Sequence, residues 1–188
     1  AVPLAAAAND DPSRAVQCAF IAARVAQRAG ATETATVGAV LAALLVDSGR
    51  ARLASGTDID LNVFSELPDS LDVLAPAATV ALAITGAKSE LRQWAALSAV
   101  EVAWLERPRL GELYQGELSP RLLSRIIVAC RALLVRVSPK TRDEALSPFT
   151  ALRQLCSEPG ADHVALGLLA RAIGAIPVGT VVELTSRD

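Results

Sequence analysis

The chain has 188 residues, of which 52% are hydrophobic, 20% charged and only 3% aromatic, with a formal net charge of -2. That length and apolar content support one globular domain with its own core and exclude a disordered chain. The lack of a basic surplus argues against nucleic-acid binding, and charges interrupt every apolar run before it reaches bilayer length.

The opening AVPLAAAAND lacks the basic start of a signal peptide. The chain contains no methionine, so either an initiator was removed or the chain is a segment of a longer protein. The second is the working expectation, with residues 1–188 as a single domain. Asp11-Pro12 reads as an N-cap followed by proline at the first helical position. A helix should run from there to about Arg28, burying Val16, Ala19, Phe20 and Ala23, with Gly30 as its stop. Thr32 caps a second helix with Val37, Val40, Leu41 and Leu44 on its apolar face. That helix ends in Leu44–Arg50, LLVDSGR, where Gly49 punctuates the chain.

Residues 51–68 read as loop with a short helical turn. Helices are expected over 70–85 and 89–105, then a turn-rich loop over 106–120. Ser119-Pro120 should start the clearest helix, with Leu122, Ile126, Ala129, Leu133 and Val137 buried. Ser147-Pro148 caps a short helix through Leu155. Asp162 caps another that ends near Ile173, followed by Gly174. The β-branched tail IPVGTVVELTS reads as a short terminal strand. The expected fold class is therefore all-α, a helical bundle with a short C-terminal strand segment. No internal repeat or second domain is visible.

Few residues suit catalysis. The sole histidine, His163, falls in the first turn of a predicted helix, where it reads as a surface or capping residue. A nucleophile would have only that conventional base. No GxSxG, Walker or dinucleotide-binding pattern occurs. Cys18, Cys130 and Cys156 are odd in number and widely spaced, which suggests buried small hydrophobes in a reducing compartment. An acid pair of Glu101 and Glu106, with Trp104 and Tyr114 near a pocket mouth, is the remaining enzymatic option, although a spacing of five does not share one helix face cleanly.

Two stretches together resemble the HD-GYP family, all-helical members of the HD superfamily. That family hydrolyses the bacterial messenger cyclic di-GMP at a two- or three-metal centre. GAIPVGTVVEL, residues 174–184, is similar to the family's ending, Y-P-V-G-T/S-hydrophobic-V-x-L. The preceding SPFTALRQLCSEPGADHVALGLLARAIG looks like its last two helices. LLVDSGR resembles the pattern LLHDIGK, which also follows an alanine-rich helix. SRAVQCAFIAARVAQRAG resembles the family's first helix. The likeness is weak between about residues 51 and 100.

By this resemblance the HD pair falls on Val46 and Asp47, so the aspartate is kept and the histidine lost. The lysine falls on Arg50, and the first-helix histidine near Arg14. The two-histidine stretch falls on residues 104–116, which contain no histidine and no G-Y-P. The next acidic ligand falls in LLSRIIVACRALL, which offers Cys130 and Arg131 instead. Val46 has no donor atom, and a cation at Arg14 opposes metal binding. The resemblance thus implies an HD-superfamily-like bundle without the hydrolytic chemistry, and with no metal or cofactor.

Asp47 then has three readings: a salt bridge to Arg14 or Arg50, a ligand phosphate or ribose bound by Asp47 and Arg50, or a solvated loop position. The leading expectation is a non-catalytic regulatory or protein-interaction domain in the bacterial cytoplasm, working with a protein partner or an adjacent signalling domain. The alternatives are a cyclic di-GMP receptor using Arg14, Asp47 and Arg50, with Arg107 and Arg109, or a weak phosphodiesterase. A plain helical domain, such as the related non-catalytic HDOD type, would share the fold but leave the tail unexplained. Neither nucleic acid nor membrane is an expected partner, and the Ala/Leu/Val content permits a homodimer.

Overall fold

The computed structural model describes residues 12–47, 89–106, 120–139 and 144–174. These form six α-helices in chain order: α1 Pro12–Arg28, α2 Glu33–Leu45, α3 Glu90–Glu106, α4 Leu122–Val137, α5 Pro148–Ser157 and α6 His163–Ile173. The all-α class holds among the described residues. The expected loop over 51–68, the helix over 70–85, most of the 106–120 loop and the terminal strand lie outside them.

Helix ends follow the capping chemistry read from the sequence. Thr32 accepts a hydrogen bond from the Ala35 amide at the start of α2, and Ser147 does the same for Thr150 at the start of α5. Asp162 caps α6 through the Ala165 amide. Gly30 ends α1 with φ +79°, which favours glycine. The Gly30 amide donates to the Gln27 carbonyl and the Ala31 amide to the Ala26 carbonyl, so two terminal carbonyls of α1 are satisfied by one turn.

One start is displaced. α4 begins at Leu122, and Arg121 is its N-cap with no capping side chain of its own. The acceptor comes from α3 instead. Glu101 Oε2 takes the Arg121 amide at 3.2 Å and the Ser124 hydroxyl. A carboxylate from a neighbouring helix thus supplies the negative charge that a helix N-terminus favours. Arg121 also pairs with Glu101 at 3.3 Å and lies over the Trp94 ring, 4.4 Å from its centre.

α4 is the hub. It packs on α1, α2, α3, α5 and α6. Its run from Ala129 to Leu134 is buried without a break, as expected of a helix surrounded by others. One core joins residues of all six helices. No described helix is long and apolar enough to cross a membrane.

The packing of α1 and α2 keeps part of the expected faces, with Ala19 buried and Val40 packed against the core, and turns their largest members outward. Val16 and Phe20 were expected inside but are 59% and 74% exposed, and Val37 and Leu44 also face out. The buried positions are mostly small: Cys18, Ala19, Ala22, Val25 and Ala26 on α1, and Thr36, Gly38, Ala39, Ala42 and Ala43 on α2. Side-chain size at the contact sets how closely two helices approach. Here small residues bring the backbones together, and the larger apolar residues are left outside the seam. Of the face expected for α4, Ile126, Ala129 and Leu133 are buried and Leu122 is exposed.

This packing predicts an inverted size rule. Ala42→Leu should lower unfolding stability by about 1–3 kcal/mol through overpacking, whereas Phe20→Ser should stay within about 0.5 kcal/mol. Urea unfolding of both variants checks the order.

Candidate functional site

The middle of α4 carries Arg131 inside its apolar run. Its side chain is 9% exposed, yet it is charged. Two carboxylates from separate helices meet it. Asp47 lies just past the C-terminal end of α2, and Glu106 is the last residue of α3. Asp47 accepts from Nη1 at 2.7 Å and from Nη2 at 3.2 Å. Glu106 accepts from Nε and, at 3.2 Å, from Nη2. Each acid therefore grips a different edge of one planar guanidinium, the geometry that favours arginine over lysine.

Electrostatics fixes the charge state. Burial works against the cation, but the Glu106 and Asp47 carboxylates more than offset it and hold the Arg131 guanidinium above its ordinary range. One cation between two anions leaves the cluster with a net negative charge. Nearby, burial pushes the Cys18 thiol up to about 12, with Arg131 pulling it down and Glu106 and Asp47 pushing it up. Burial also raises the Cys130 thiol well above its ordinary value, with a further push from Cys18. Neither is a ready nucleophile at neutral pH. Cys156 is exposed, unlike the buried role expected for all three.

The residues singled out in the sequence separate in space. Asp47 is held by Arg131. Arg14 is buried and donates to the carbonyl of Ser138, the C-cap of α4, where a cation suits the helix dipole. Arg50, Arg107, Arg109 and Tyr114 lie outside the described residues, and Trp104 sits in α3. Glu101 and Glu106 do not act as an acid pair, because Glu101 serves Arg121 and Ser124 while Glu106 serves Arg131. His163 is the first residue of α6 and is exposed, as expected. Among the described residues no group of three or more His, Cys, Asp or Glu side chains could hold a metal ion.

A further ion pair lies near the N-terminal end of α4. Arg125 makes two hydrogen bonds to Asp162, at 2.5 and 2.7 Å. Arg125 pulls the Asp162 carboxyl below its usual range, and the capped amides of α6 add to this. The pair borders a groove of about 220 Å³ floored by Val128, Ala132, Leu155 and Leu166.

Two outcomes follow. Arg131→Met should cost about 3–5 kcal/mol, because it strands two largely buried carboxylates. Adding Asp47→Asn and Glu106→Gln should recover roughly half of that loss, as read by urea unfolding. Asp162 has a lowered folded pKa, so its contribution is present above the unfolded value and lost as pH falls through the folded one. The stability difference between wild type and Arg125→Met should therefore be full at neutral pH and shrink below about pH 4, as read from unfolding midpoints across an acid series.

The chain matches no family model, no curated protein and no solved structure, so the case for the site rests on its own geometry.

Proposed function

We propose that this chain is a non-catalytic, HD-GYP-like helical domain that acts in bacterial signalling through a protein partner or an adjacent signalling domain. In this reading the fold is an HD-superfamily-like bundle closed by a short C-terminal strand, and the domain works in the cytoplasm. The observation that carries it is the arrangement at Arg131. The family that the sequence resembles holds a metal centre, and the residues at the matching positions here do not fit one. Val46, aligned with a ligand histidine, is a buried valine with no donor atom. Asp47, aligned with a ligand aspartate, spends both oxygens on Arg131. A guanidinium fixed among the acids repels a metal ion and occupies its donors.

The cyclic di-GMP receptor alternative draws on Arg14, Asp47 and Arg50. Two of these are engaged within the fold, Arg14 with the Ser138 carbonyl and Asp47 with Arg131. That engagement favours the interaction-domain reading.

The test is metal content by plasma mass spectrometry on protein purified without chelator, with cyclic di-GMP hydrolysis assayed on the same sample. Sub-stoichiometric metal, no turnover with added manganese or iron, and no calorimetric heat with the dinucleotide are expected. Stoichiometric metal or turnover overturns the proposal, and saturable binding without turnover selects the receptor alternative.

A further inference from the structure

We draw no further inference here: the strongest candidate, the apolar groove of about 220 Å³ between α4 and the turn that joins α5 to α6, is bordered by ion pairs closed within the fold, Arg125 with Asp162 and Arg136 with Glu158, and nothing in the structure shows what covers it.

Discussion

A single guanidinium at the centre of the described helices sets the terms for the rest. Taking a charge out of water costs several kcal/mol, and Arg131 is tolerated only because two carboxylates meet it edge by edge. The net gain in stability from such a cluster is small. The gain in direction is not, since a planar fork accepts its partners from defined angles. The end of α2 and the end of α3 are thereby pinned to the middle of α4, the helix that touches all the others. An apolar residue at position 131 could fill the space but could not fix those two ends.

The other charges repeat this use at smaller scale. Arg14 serves the C-terminal end of α4, while Arg24 and Arg28 donate to the Ala172 and Arg171 carbonyls near the end of α6. Glu101 supplies the start of α4, and Asp162 caps α6 while holding Arg125. A core rich in alanine offers little apolar area per residue, so it buries less per helix than a core of large side chains. Satisfying the orphan amides and carbonyls of short helices then weighs more in the balance. The described charges act mainly at helix ends, which suits a fold assembled from close, small-residue contacts.

Legibility in the sequence followed the same division. Caps are local, so Thr32, Ser147, Asp162 and the glycines at 30 and 174 could be read directly and set five helix boundaries within a residue or two. The start of α4 lies two residues beyond the expected Ser119 cap, because its capping acid, Glu101, sits twenty residues upstream on another helix. Periodicity ranks large residues as core, so it places Val16, Phe20, Val37 and Leu44 inside, where the structure has them exposed. Here Ala22, Ala39 and Ala42 are fully enclosed while Phe20 faces out. Asp47 is legible as a site residue, but the sequence points its pairing to Arg14 or Arg50, and the structure pairs it with Arg131. The signal was present in Ile126–Leu134, an apolar run with one arginine inside it. Such a residue on a helix buried all round requires an acid from elsewhere, and Glu106 at the end of α3 supplies one.

The chemistry left to this centre follows from the difference between a guanidinium and a metal ion. A metal activates water and polarises a phosphoryl oxygen because it has open coordination positions and lowers the pKa of what it binds. Arg131 has neither property. Four hydrogen bonds to Asp47 and Glu106 occupy most of its donors, and those acids hold its proton more tightly than in a free side chain. The positive charge is therefore spent inside the fold, where it positions helices and cannot be presented to a substrate. What the cluster contributes is position: α2, α3 and α4 are held together by covalently tethered charges, with no dissociable ion needed at that point.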